Sequence, residues 1–291
     1  MTVEGGGGSG LVFFRVLDYY FALDCPIVPL MEYVQHVLGA FVVESEPAPP
    51  SVTDTSDLPP RYRVVSADAP DRYRLLYGSE PLVLDDLGLG VLDHFFWHVN
   101  SEALRFTESF LVLHAGAVAT GDGRAVLLPA VGGGGKSTMV AALVRAGFDY
   151  LTDEASAIDP GTGRIHPFPK ALTLKAGSFA LFPELERLQP AYVGRWHIRP
   201  EDLRPGSTTG PAMPGWVVGV RYEPGRAARL VPMTRGAMVV ELWSHRLNAA
   251  VYGARSLPVL ARLCAGSGCF SLVYSDLDEG VAAITALTSG G

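Results

Sequence analysis

The chain has 291 residues, of which 48% are hydrophobic and 18% charged, with a formal net charge of −7. That composition is globular and long enough to bury a sizeable core, either as one large α/β domain or as a small domain joined to a core of about 180 residues. Lysines and arginines are scattered singly in an acidic chain, which excludes the electrostatic footprint of a nucleic-acid partner.

The opening "MTVEGGGGSG" has no basic segment followed by an apolar one, so it is read as a flexible N-terminus over residues 1–10 and not as a signal peptide. From residue 11 to 105, "LVFFRVLDYYFALD" and "RYRLLYG" alternate as strands do, and the prolines of "EPAPPSVTDTSDLPP" mark a loop between them. A small mixed N-terminal domain is predicted there, with the main core over residues 106–291. Within it "HFFWH" sets His94 and His98 four apart, a zinc spacing on a helix, but no glutamate follows His94 and no third ligand is in view. Aromatic packing is the reading preferred for both.

The next segment carries the chemistry. A strand over 110–119 and another over 124–129 flank the turn Gly121-Asp122-Gly123, a hairpin signal, and "LLPAVGGGGKSTMV" then breaks an apolar strand into four glycines. A helix over 137–146, stopped at Gly147, and a strand over 148–151 follow. Strand, glycine loop and helix in that order are the context of a phosphate-binding loop. Backbone N–H groups of Gly132, Gly133, Gly134, Gly135 and Lys136 converge on phosphate at the helix N-terminus, with Ser137 and Thr138 in its first turn. Lys136 reaches the outer phosphate oxygens and the Ser137 hydroxyl ligates Mg²⁺. Ala130 stands where the usual G-x-x-x-x-G-K-[ST] pattern has its first glycine.

Asp153 and Glu154 follow at once in "DYLTDEASAI". A strand returning beside the loop's own strand would bring them to the phosphates, where a carboxylate takes a proton from an attacking hydroxyl or holds Mg²⁺. Beyond them come helix-like "FPELERL", a Pro- and Gly-rich loop over 200–215, strands over 216–222 and 229–232, a helix around 235–252, the strand "CFSLVYS" and a final helix over 276–288, an α/β pattern throughout. The longest apolar stretch, around "FLVLHAGAVA", falls short of the ~20 residues a membrane helix requires, so no membrane partner is expected. Three cysteines, Cys25, Cys264 and Cys269, without a C-x-x-C pair favour neither disulfides nor zinc and fit a reducing cytoplasm.

The stretch from "LVLHAGAVA" through "PFPKALTLKAG" resembles the HPr serine kinase/phosphorylase superfamily, most closely its HPr-kinase-related members found beside peptide-modification genes. Shared features are a histidine ending the strand before the hairpin, the early acidic pair, and a Pro-Phe-Pro segment leading to Leu-Lys. The resemblance is strong over residues 105–178, moderate over "LVYSDLDEGVAAI" and weak over the first hundred. It implies an HPr kinase-like core that uses ATP and Mg²⁺. His114 then lies near the transferred phosphate, Lys136 and Ser137 are the loop lysine and metal ligand, and Asp153 polarises the acceptor hydroxyl. Glu154 stands at the second acidic position, on the metal, and Lys175 is a basic residue that neutralises γ-phosphate charge.

The signature for phosphorolysis carried by the bifunctional enzymes is absent. The implied activity is serine (or other hydroxyl) kinase, with a peptide or protein, such as a ribosomally made precursor, as partner. Two rivals stay open: a nucleotide-binding accessory protein without transfer, and a small-molecule kinase for free serine or a sugar. Homo-oligomers are also open, since the bifunctional relatives form hexamers.

Overall fold

The computed structural model describes residues 11–44, 60–185 and 195–290, so the predicted flexible N-terminus and the proline-rich loop lie outside the described residues. The chain divides between Ala103 and Leu104 into two compact units. Both are α/β, with mixed sheets and helices.

The first unit runs β1 (Leu11–Val16), β2 (Tyr19–Asp24), α1 (Val28–Leu38), β3 (Val42–Val43), β4 (Arg61–Ser66), β5 (Arg72–Tyr77), β6 (Glu80–Leu87) and α2 (Gly90–Phe106). Its sheet has the order β3-β1-β2-β4-β5-β6. Leu30, Met31, Val34, Val37 and Leu38 recur at helical spacing and form the buried face of α1, which Pro29 starts. Phe21, Tyr62 and Phe95 meet edge to face in the core, with ring centroids 5.1 to 5.4 Å from Tyr62. The His98 ring nitrogen Nδ1 lies 2.7 Å from the Tyr62 hydroxyl, and His94 sits 3.4 Å from an Asp86 oxygen. The two histidines thus serve packing and pairing within the unit, and among the described residues no group of three metal-ligating side chains forms.

The second unit begins with the hairpin β7 (Leu111–Ala119) and β8 (Arg124–Pro129), then α3 (Lys136–Arg145), β9 (Asp149–Thr152), β10 (Ala155–Ile158), β11 (Ile165–His166), β12 (Leu172–Lys175) and α4 (Ala176–Phe179). It continues with β13 (Arg195–Ile198), α5 (Pro200–Leu203), β14 (Met213–Tyr222), β15 (Arg229–Pro232), α6 (Arg235–Ser244), α7 (Ala249–Tyr252), α8 (Ser256–Ala265), β16 (Gly268–Tyr274) and α9 (Leu277–Ser289). The main sheet has the order β11-β10-β7-β8-β14-β16-β15, and β9 pairs with β7 as well. β12 and β13 form a separate two-stranded sheet.

Side-chain alternation explains why both faces of that main sheet are covered. Val126 and Leu128 of β8 enter one core with Met139, Val140 and Leu143 of α3, while Ala125 and Leu127 enter the other with Met238 and Leu242 of α6 and Leu260 and Leu263 of α8. The helix expected around 235–252 is broken: α6 ends at Ser244, and the stretch to Asn248 folds back on the sheet, where the Leu247 N–H donates to the Val112 carbonyl and the Asn248 side chain accepts from Val112. A helix not read from the sequence, α8, follows. Of "FPELERL", Pro183–Leu185 forms a single 3₁₀ turn and the rest lies outside the described residues.

The helix that follows the glycine loop is tied down at its far end by Arg204. Its guanidinium donates to the Val144 carbonyl in the last turn and to the Phe148 carbonyl just beyond it, at 3.2 and 2.9 Å, and pairs with Asp149 at 2.5 Å. Arg204→Ala is expected to destabilise the protein by about 1–3 kcal/mol in urea unfolding, because buried acceptors lose their donor. An unchanged midpoint would show that α3 does not depend on this clamp.

Candidate functional site

β8, β14 and β16 are mutually parallel, so their carboxyl ends reach one edge of the sheet. β7 is antiparallel to β8, and β9 is antiparallel to β7. β9 therefore points the same way as β8 but does not lie beside it, which corrects the expected adjacency: β7 stands between them. Asp153, just past β9, nevertheless comes to the edge where the glycine loop leaves β8, the edge at which open α/β sheets build their ligand sites.

Only part of the glycine run is dictated by geometry. Gly133 and Gly135 have φ of +81° and +84°, in the left-handed region, and a Cβ on Gly135 would lie 2.5 Å from the Tyr274 hydroxyl. At Gly134 a Cβ would crowd the Val131 carbonyl at 3.0 Å, whereas at Gly132 and Gly133 it would meet nothing within 4 Å. Ala130 is 2% exposed, its methyl packed in the core under the loop, so its side chain takes no space above it. Gly135 caps α3 without a side chain, leaving the first-turn N–H groups of Lys136, Ser137 and Thr138 at the open end. The Thr138 hydroxyl turns aside to Ser178, 2.8 Å away.

Lys136 crosses from the loop to the acidic pair. Its Nζ donates to the Asp153 carbonyl at 2.5 Å. The path is open because position 116 on β7 is glycine: a Cβ there would stand 2.6 Å from Val140 and 3.3 Å from the Lys136 stem. Burial pushes the Lys136 ammonium below the ordinary lysine range, with Asp153 and Glu154 opposing that shift.

Asp153 is 3% exposed. Its Oδ1 lies 3.2 Å from the Tyr150 hydroxyl, and its Oδ2 faces the Thr173 N–H at 3.5 Å. Glu154 is the more open acid, with 39% of its side chain exposed, and its carboxylate is ion-paired to Lys170. Lys170 holds that carboxyl below the usual glutamate range against the effect of burial. For Lys170 itself burial opposes the charge, and Glu154 and Asp153 together outweigh it, so the ammonium is held above the usual lysine range.

His114 is half-buried inside β7 and not at the strand end expected for it, because β7 runs on to Ala119; it is in register with Ala155, and its ring meets the Glu154 backbone. Burial and then Lys136 lower its proton affinity, so the imidazole is neutral near neutral pH. The backbone N–H of His114 donates to the His245 backbone carbonyl at 2.6 Å. His245 thereby joins the site from the end of α6, while His166 sits on β11 against Asp159 and Phe110.

The structure thus brings the loop glycines, Lys136, His114, Asp153 and Glu154 together. Lys175 is exposed at the end of β12, opposite Arg195, and the lysine that meets the acidic pair is Lys170, which the sequence reading passed over. Its only signal in the sequence was its place after Pro-Phe-Pro. Tyr274 and Tyr222, also unread, close over Gly135 as an edge-to-face pair with centroids 5.9 Å apart. Ser137 and Glu154 offer a hydroxyl and a carboxylate, the hard oxygen donors Mg²⁺ takes alongside phosphate oxygens.

No family model matches the sequence, and no curated protein matches it. Among solved structures, the Hpr(Ser) kinase/phosphatase from Coxiella burnetii aligns with 62% of this chain and 99% of that chain at 11% identity, with a TM-score of 0.29. At that TM-score the two traces share too little for the match to bear on fold or chemistry. Among the described residues, no helix is long and apolar enough to cross a membrane. The three cysteines are free thiols and buried.

Gly135→Ala is expected to cost about 1–3 kcal/mol, from backbone strain and the clash with Tyr274, while Gly132→Ala leaves the unfolding midpoint nearly unchanged. Equal midpoints for the two variants, measured by denaturant unfolding, would contradict the loop geometry described.

Proposed function

We propose that the second unit binds ATP on the glycine loop and transfers its γ-phosphoryl group to a hydroxyl, with a serine of a peptide or protein as the acceptor class that the resemblance of residues 105–178 implies. The observation that carries this reading is the convergence at one sheet edge of the loop, a half-buried lysine and two acids, with Lys136 Nζ 2.5 Å from the Asp153 carbonyl. Phosphoryl transfer needs positioning and charge neutralisation more than covalent chemistry, and this cluster supplies both.

In this reading the loop N–H groups and the α3 N-terminus hold the phosphates, and Lys136 neutralises their outer oxygens. Mg²⁺, when bound to Ser137 and Glu154, supplies further charge neutralisation. The acceptor oxygen attacks the γ-phosphorus, the bond to the bridging oxygen breaks with ADP leaving, and the hydroxyl proton passes to Asp153. The contacts of that carboxylate are long: the Tyr150 hydroxyl lies nearer the Lys170 carbonyl, at 2.9 Å, than Asp153 Oδ1, at 3.2 Å. Lone pairs are left over for an incoming hydroxyl. Neutral His114 adds a hydrogen bond beside the transferred group, and Lys175 has at most a part at the solvent side.

A second reading, nucleotide binding without transfer, is favoured by one observation, the 3% exposure of Asp153. The two separate in an assay with ATP labelled at the γ-phosphate, offered candidate peptides and small hydroxyl compounds. Lys136→Ala is expected to weaken ATP binding by about tenfold or more, through loss of a charge-assisted contact. Asp153→Asn should keep ATP affinity within about threefold and lower transfer by roughly 10²–10⁴, the usual worth of a positioned base. Wild-type transfer by Asp153→Asn with loss in Glu154→Gln would move the base to Glu154. Tight ATP binding with no transfer to any acceptor would leave the binding-only reading.

A further inference from the structure

Lys170 touches both acids of the pair by different routes. Its side chain is 10% exposed, and its ammonium ion-pairs with Glu154. Its carbonyl accepts the Tyr150 hydroxyl at 2.9 Å, and the same hydroxyl oxygen accepts the Asp153 N–H at 3.1 Å and lies 3.2 Å from Asp153 Oδ1. The segment that carries it is laced to β9: the Lys170 N–H donates to the Phe168 carbonyl at 2.9 Å, and the Phe168 N–H to the Leu151 carbonyl at 2.8 Å. A lysine fixed at so many points does not act as a mobile surface charge.

The charge count gives this a consequence. Two adjacent carboxylates at a half-buried edge would draw in a divalent cation on their own, but Lys136 and Lys170 balance them to a formal zero. A bare cation then gains little at Glu154, and it must also displace an ammonium. A cation that arrives with phosphates brings its own counter-charge and its own oxygen ligands.

We propose that Lys170 is a positioning residue of this site: it fixes Glu154 by ion pairing and Asp153 through Tyr150, and so keeps the acidic pair closed to a free divalent cation until nucleotide phosphates bring one in. The inference rests on the phosphoryl-transfer reading of the pair. It assigns a buried lysine, rather than exposed Lys175, the task of balancing the acids.

The test is a titration of the full-length protein with Mn²⁺ alone, without nucleotide, followed by electron paramagnetic resonance of the free ion. Lys170→Met is expected to bind Mn²⁺ about tenfold more tightly than wild type, a change of about 1.4 kcal/mol. Lys170→Arg should behave as wild type, and Glu154→Gln combined with Lys170→Met should lose the gain. Unchanged or weaker Mn²⁺ binding by Lys170→Met overturns the proposal, as does a Lys170→Arg protein that binds like Lys170→Met. Lys170→Gln, which keeps a hydrogen bond and loses the charge, carries the same two outcomes if circular dichroism shows that Lys170→Met does not fold. Because no nucleotide is present, the failures separate: a gain in affinity with no ATP binding by the wild type sinks the phosphoryl-transfer reading alone, and no gain in a protein that transfers phosphate sinks the role of Lys170 alone.

Discussion

A lysine that leaves a helix N-terminus and ends on a backbone carbonyl two strands away constrains everything around it. Burial penalises its charge, so the surroundings of Lys136 have to return that cost through Asp153 and Glu154. The acids in turn sit at the same half-buried edge and need cations of their own, which is why Lys170 is drawn under them. Remove any member and the others are left with charge that water cannot easily solvate.

The fold meets this constraint with a few close approaches. Gly116 lets α3 settle on β7, so that the Lys136 stem passes over the strand instead of around it. β7 separates β8 from β9, which leaves one strand between the glycine loop and Asp153 at a common edge, a gap that Lys136 bridges. At the other end of α3, Arg204 binds the carbonyls of Val144 and Phe148, so the helix is held at both ends by groups from outside it. Packing of Val126 and Leu128 against Met139, Val140 and Leu143 supplies the apolar burial that makes these polar contacts rigid.

What was legible in the sequence was local. The hairpin around Gly121-Asp122-Gly123, the glycine loop, the α3 helix and the strand after it each follow from spacing and turn chemistry within a dozen residues, and the structure forms each of them. The partner of β9 was not legible, because a short apolar strand says nothing about which neighbour it joins. Nor was α8, which carries Pro258 in its first turn, a position where proline is tolerated in a helix. Lys170 escaped for a third reason: it lies in an aperiodic segment, and its significance comes from β9, to which the chain returns only in three dimensions. Lys175, singled out through the resemblance, pairs across to Arg195 at the end of β12, five residues past the lysine that lies beside the acids.

The two carboxylates end in different circumstances, and the contrast bears on what each can do. Glu154 is open to solvent over more than a third of its side chain but tied to an ammonium, so its oxygens are reachable and its charge is already countered. Asp153 is nearly enclosed, yet its hydrogen bonds are long and shared, because the Tyr150 hydroxyl has a single proton and a nearer acceptor in the Lys170 carbonyl. An exposed, neutralised carboxylate suits a ligand for a cation that arrives with its own anions. An enclosed, under-bonded one suits a group that takes up a proton only from a partner fitted close against it. On the phosphoryl-transfer reading proposed above, the burial of Asp153 limits which hydroxyls can reach it.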